Sequence, residues 1–156
     1  LIYLKMMNVK TKSPPPLVAL VFGFLIYYTK NIFPKIEIVW GYVFGSMSII
    51  FGLIIILLAI ILFKKYKTTT TPLNPSNATK LIVHGIYKFS RNPMYLGLLL
   101  VLSGIGIIQN PIGSLLFVPS FILYLNRFQI IPEESAMLDL FKDDFLKYKE
   151  NVRRWI

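Results

Sequence analysis

Two short clusters of polar side chains border an uncharged stretch of this chain, and they are where chemistry can be built. The first is Ser90-Arg91-Asn92-Pro93, followed by Tyr95, at the start of a 35-residue run from Asn92 to Asn126 without a charge. The second opens with Arg127 and continues through Glu133-Glu134, directly after Pro132. Pro93 suits the first turn of a helix, where its missing N–H is not needed, so Ser90 to Asn92 would cap a helix with Arg91 at its mouth. A guanidinium grips a carboxylate through two parallel hydrogen bonds, and paired carboxylates hold hydroxyls or an ammonium group. Each cluster also has a plainer reading. Arg91 would serve as the positive flank of a membrane helix, and Glu133-Glu134 as helix caps worth about 0.3–1 kcal/mol. The chain has no cysteine, which excludes disulfides, thiolate catalysis and cysteine metal sites, and with His84 as its single histidine no metal centre is expected. The reactive group must therefore come from a bound reagent.

These clusters have to be positioned by apolar elements. Of the 156 residues 55% are hydrophobic, and the charged residues fall into a few blocks instead of spreading along amphipathic faces, the composition of a single-domain membrane protein over 1–156. A net charge of +10 raises the question of nucleic acid, but the basic residues sit beside apolar runs, where anionic lipid headgroups and topology account for them; nucleic acid is not expected as a partner. No cleavable signal is expected, since Tyr-Tyr-Thr-Lys closes the first apolar run with no small-residue cleavage site, and Met6 or Met7 is a candidate start.

Four spans are expected, at about 15–30, 38–63, 93–109 and 111–127. The 26 uncharged residues from Ile38 to Phe63 exceed a bilayer core of about 30 Å and imply tilt. The run after Arg91 is too short for two full spans and is broken at Asn110-Pro111, which predicts a tight helical hairpin. Gly41, Gly45 and Gly52 are small enough for close helix contact. The polar, proline-broken connection 68–79 must face water; its glycosylation sequon Asn77-Ala78-Thr79 would be cytoplasmic and silent. Fifteen Lys and Arg would lie on one side, and Lys30 and Lys35 on the other, which puts both termini in the cytoplasm. A cytoplasmic helix at 133–152 is predicted from Met137, Phe141, Phe145, Tyr148, Val152 and Trp155, which recur at helical spacing. It would lie on the membrane surface, cover a site, or do both. Hairpin geometry would bring Arg91, Asn92 and Tyr95 to Arg127, Glu133 and Glu134.

The stretch Leu-Ile-Val-His-Gly-Ile-Tyr-Lys-Phe-Ser-Arg-Asn-Pro-Met-Tyr-Leu-Gly (81–97), followed by Pro-Glu-Glu-Ser-Ala-Met-Leu (132–138), Phe141, Tyr148 and Val152-Arg153-Arg154-Trp155, resembles the small integral-membrane methyltransferases. These include the isoprenylcysteine carboxyl methyltransferases and the phospholipid N-methyltransferases. The resemblance implies an all-α membrane fold, S-adenosylmethionine as cofactor, and a lipophilic small-molecule or lipid substrate. Carried over by position, it implies cofactor contacts from Gly85, Tyr87, Arg91, Asn92, Pro93, Tyr95, Glu133 and Glu134; Val83 and His84 beside them are further candidate contacts, and Arg91, Tyr95 and Arg127 are the candidate catalytic residues. Asn92 stands where the isoprenylcysteine enzymes carry histidine, and Phe141-Lys142-Asp143-Asp144 replaces their Phe-Gly pair.

Methyl transfer from a sulfonium is an in-line displacement that needs alignment and desolvation more than a nucleophilic side chain, which suits this residue inventory. Arg91 or Arg127 would hold the cofactor carboxylate, and Tyr87 or Tyr95 would face the sulfonium. His84 would act as a proton acceptor or be structural. Two other functions compete. Membrane sterol reductases share a related C-terminal half and use NADPH, although this chain is short for one and shows no extra basic pocket for a 2′-phosphate. A non-catalytic four-span protein would bind no cofactor.

Overall fold

Glycines seven residues apart decide how the two central helices meet. In the computed structural model, which describes residues 13–66 and 80–156, helix α2 (Gly41–Lys65) lies against helix α3 (Pro93–Gln109). Gly45 faces Gly104 and Gly52 faces Gly97, so the two helices run antiparallel. A Cβ added at Gly52 would lie 2.6 Å from the Gly97 carbonyl oxygen, and one at Gly104 2.5 Å from that of Gly45. The backbones are in direct contact, which only residues without a side chain permit. Between the two glycine contacts the Ser48 hydroxyl donates to the Leu100 carbonyl at 2.8 Å.

Helix α1 (Pro15–Tyr28) and helix α4 (Pro111–Leu125) pack on this pair. Each starts on proline, whose fixed φ suits a first turn and whose missing N–H is not needed there. Asn110 ties the far ends of three helices together. Its Oδ1 accepts from the Gly113 N–H at 2.9 Å and caps α4, while its Nδ2 donates to the Ile26 carbonyl and the Thr29 hydroxyl at the end of α1. It is 3% exposed, so every one of those bonds replaces water it cannot reach. Gly106 against Ser114 lets α3 and α4 meet closely beside it. The core among α1, α3 and α4 is Val18, Ile26, Leu102, Phe121, Leu125 and Ile130.

Where the sequence predicts a fourth span ending near 127 and a separate helix from 133, the chain is helical without a break. A π turn, Asn126–Ile130, joins α4 to helix α5 (Ile131–Asn151). Pro132 explains it: proline cannot donate to the carbonyl four residues back and its ring crowds that carbonyl, and a wide turn absorbs both problems. Within α5, Lys142 has φ 43° and ψ −116° and kinks the helix. The kink turns Phe145 and Tyr148 inward, onto Ala59 of α2 and Ile82 and Tyr87 of the preceding connection. The predicted stripe on one continuous helix is therefore corrected. Helix α5 stops at Asn151, Val152 is extended, and Trp155 lies beyond the helix with its indole Nε1 donating to Asn126.

Among the described residues there is no strand. Helix α2 and the continuous Pro111–Asn151 unit are long and apolar enough to cross a membrane. Helix α2 presents Phe44, Met47, Ile50, Phe51, Leu53 and Leu57 outward. So wide an apolar surface is solvated by lipid, not water. The basic tail before Ser13 and the connection 68–79 lie outside the described residues.

A lysine at positive φ carries strain of about 1–3 kcal/mol that glycine does not. Lys142→Gly is therefore expected to raise stability by about 1 kcal/mol, offset in part by the entropy that glycine loses on folding. Thermal unfolding in detergent checks this, and a lower melting temperature in the variant refutes it.

Candidate functional site

The connection before α3 is shaped so that Arg91 points inward. Gly85 has φ +61° and opens a short 3₁₀ turn, Gly85–Lys88, where a side chain would strike Leu62 at 2.8 Å. The turn buries Tyr87, whose carbonyl accepts from the Tyr148 hydroxyl at 2.6 Å. The buried Ser90 hydroxyl accepts from the Asn92 N–H at 3.1 Å, which sets the bend into Pro93. The C-terminal strap then closes over this bend. Arg91 N–H donates to the Arg153 carbonyl at 3.0 Å, and Asn92 Nδ2 and Ser90 Oγ donate to the Arg154 carbonyl at 2.9 and 3.4 Å.

The Arg91 side chain is only 8% exposed and carries a charge into the protein. Its Nη2 lies 3.0 Å from Glu134 Oε1. Arg154 meets the same carboxylate from the other side, with Nε 3.0 Å from Oε1 and Nη2 2.7 Å from Oε2. Arg91 Nε and Nη1 are buried with no hydrogen-bond partner. An unpaired buried donor costs about 1–3 kcal/mol, more on a charged group, so two of them on one guanidinium point to a ligand.

Glu133 is held apart from that ion cluster. It accepts from the Tyr95 hydroxyl and, at 2.7 Å, from Gln129 Nε2 one helical turn earlier. Burial pushes its carboxyl up to about 7, against the two hydrogen bonds, which favour the ionised form; the Glu134 charge adds to the rise. Burial likewise raises the Tyr87 and Tyr148 hydroxyls, so Tyr148 stays a neutral donor.

Arg91, Glu133, Glu134, Tyr87, Tyr95 and Tyr148 line one end of a cavity of about 430 Å³. Apart from Lys80 and Asn92, its other walls are apolar, among them Ile56, Ile60 and Phe63 from the last turns of α2, Met94 and Leu98 from α3, and Met137 and Phe145 from α5. Of the expected site residues, Tyr87, Arg91, Asn92, Tyr95, Glu133 and Glu134 line it together. Pro93 is buried at the start of α3 but does not line it. Val83, His84 and Gly85 lie outside its lining, and His84 is exposed with its ring 6.3 Å from Tyr66. Arg127 is exposed on the π turn, which rotates it away from the cavity. A larger cavity of about 520 Å³ lies beside Lys30, Lys35 and Glu37, but its ionisable side chains are not buried.

Three contributors take their roles only from the structure. Gln129 stands four residues before Glu133, a spacing that could have flagged it. Tyr148 reads as one more apolar position of an amphipathic helix. Arg154 stands in the sequence only as part of the resemblance at Val152 to Trp155, and its reach back to Glu134 depends on how the strap folds.

Comparison with known proteins gives the family. The phospholipid methyltransferase family model matches residues 40–144. Protein-S-isoprenylcysteine O-methyltransferase A of Arabidopsis thaliana is 31% identical over 138 residues, covering 86% of this chain and 69% of the relative. The probable protein-S-isoprenylcysteine O-methyltransferase of Oryza sativa subsp. indica is 29% identical over 141 residues, 86% of this chain and 71% of the relative. An uncharacterised protein of Haemophilus influenzae is 41% identical over 63 residues, 40% of this chain and all of the relative. No solved structure matches. The paired motifs around Arg91 and Glu133-Glu134, the helical fold with its apolar exterior, and the extent of these matches together make the chain a member of the phospholipid methyltransferase family of membrane proteins.

Proposed function

We propose that this protein transfers a methyl group from S-adenosylmethionine to a lipophilic acceptor at the cytoplasmic face of the membrane. One observation carries the reading: a single cavity joins a charged end, with two buried and unpartnered Arg91 donors, to an apolar flank built from α2 and α3. The residues present fit the cofactor. Arg91 Nε and Nη1 would donate to its carboxylate, Glu133 would take its ammonium or ribose hydroxyls, and the Tyr87 and Tyr95 rings would face its cationic sulfur. When bound, the cofactor supplies an electrophilic methyl group on a sulfonium. Ile56, Ile60, Phe63, Met94 and Leu98 would hold the acceptor's lipid tail and exclude water, so that alignment and desolvation do the work.

The same reading makes α1 to α4 four spans, with α3 and α4 a hairpin and both termini cytoplasmic; α5 follows on the cytoplasmic surface. The split of fifteen Lys and Arg against two supports this orientation. A reporter fused after Ile156 should be active in the cytoplasm, and activity only on the outer side overturns the topology.

Purified protein is expected to bind S-adenosylhomocysteine and to ignore NADPH; the opposite preference would favour a reductase. Arg91→Lys keeps the charge and loses the planar fork. It should cut turnover of labelled S-adenosylmethionine on a membrane lipid extract at least about tenfold, or about 1.4 kcal/mol of transition-state binding. Near-normal turnover returns Arg91 to a flanking charge.

Glu133 gives a pH signature. Its folded value of about 7 lies above its ordinary 4.5, so folding favours the protonated form. That contribution is complete below 4.5 and is lost as pH rises through 7. Ligand-free wild-type protein should therefore lose about 3 kcal/mol relative to Glu133→Gln between about pH 4.5 and 8. Parallel melting profiles for the two proteins refute the assignment.

A further inference from the structure

The residue that organises the charged end of the cavity does not line it. Arg154 sits on the C-terminal strap, beyond the end of α5, and its guanidinium spans both oxygens of Glu134 at 3.0 and 2.7 Å. We propose that Arg154 is a positioning residue for an anionic ligand group: it occupies Glu134 so that Arg91 keeps two N–H donors free to receive a carboxylate. The proposal rests on the cofactor reading above.

The argument is one of competition. Glu134 is the acidic partner of Arg91, and a carboxylate facing a lone guanidinium takes it side-on through two bonds and cancels its charge. With Arg154 in place, Glu134 Oε2 is engaged at 2.7 Å, Oε1 is shared by the two arginines at 3.0 Å each, and Arg91 contributes Nη2 alone. The three side chains together carry one net positive charge, and Nε and Nη1 of Arg91 remain buried and unpartnered. Without Arg154 the Arg91–Glu134 pair would be neutral, and Glu134 could pivot to consume a second donor. The strap is held where this works. Its carbonyls accept from Arg91 N–H, Asn92 Nδ2 and Ser90 Oγ, and Trp155 Nε1 donates to Asn126 at 3.2 Å. Arg154 itself is one-third exposed, so it acts from the rim on a buried group.

Two ligands separate this role from general support of the fold. S-adenosylhomocysteine carries the carboxylate, and 5′-methylthioadenosine shares the nucleoside and thioether but has no amino-acid portion. By calorimetry on the full-length protein in detergent, Arg154→Ala should weaken S-adenosylhomocysteine at least tenfold and change 5′-methylthioadenosine less than twofold, with the melting temperature recorded alongside. Arg154→Lys keeps the charge and guards against a misfolded alanine variant. It should give an intermediate loss for the first ligand and none for the second. Equal losses for both ligands, or no loss for either, overturn the inference while leaving the cofactor reading intact. A wild-type protein that binds neither ligand overturns that reading and the inference with it.

Discussion

A guanidinium inside a protein must be paired, and the half of this structure around the start of α3 is arranged around that requirement at Arg91. Burying an ion costs several kcal/mol even after relaxation, so the charge persists only where geometry supplies compensation. Glu134 supplies it from α5, Arg154 fixes Glu134 from the strap, and the strap is itself bonded to the bend that carries Arg91. The circuit joins three segments that are distant in sequence. Because two donors of Arg91 are left over, the circuit reads as a binding site and not only as a structural clasp.

The opposite wall of the cavity depends on the backbone contact between α2 and α3. Gly97 lies against Gly52 and against the Ile56 side chain, so the separation of these helices sets where Ile56, Ile60 and Leu98 stand relative to Arg91. Apolar side chains gain little from burial against each other when lipid is the alternative; close backbone approach and the Ser48 to Leu100 hydrogen bond hold the pair instead. At the far end Asn110 does the same for α1 and α4 with three hydrogen bonds. The charged and apolar ends of the cavity are thus placed by two different kinds of interaction.

The kink at Lys142 sets where the end of α5 packs. The backbone there has a positive φ that glycine adopts without strain. Beyond it Phe145 and Tyr148 turn inward, and the Tyr148 hydroxyl donates to the Tyr87 carbonyl. At the start of α3 Asn92 uses its amide to hold the Arg154 carbonyl.

Much of this was legible in the chain itself. Uncharged runs and proline at first turns are local signals, and they located the helices, the break at Asn110 and the approach of Arg91 to the Glu133-Glu134 cluster. Composition alone required a lipid-facing exterior. What the sequence could not carry was direction. Whether Arg127 or Arg154 serves the site turns on a π turn that rotates one away and a strap that folds the other back. The stripe from Met137 to Trp155 looked continuous because periodicity counts residues and cannot register a positive φ in the middle of a helix. Side-chain types and spacing are properties of the sequence by itself, whereas the partner of each buried charge is a property of contacts between segments 20 and 43 residues apart, and only the tertiary structure decides those.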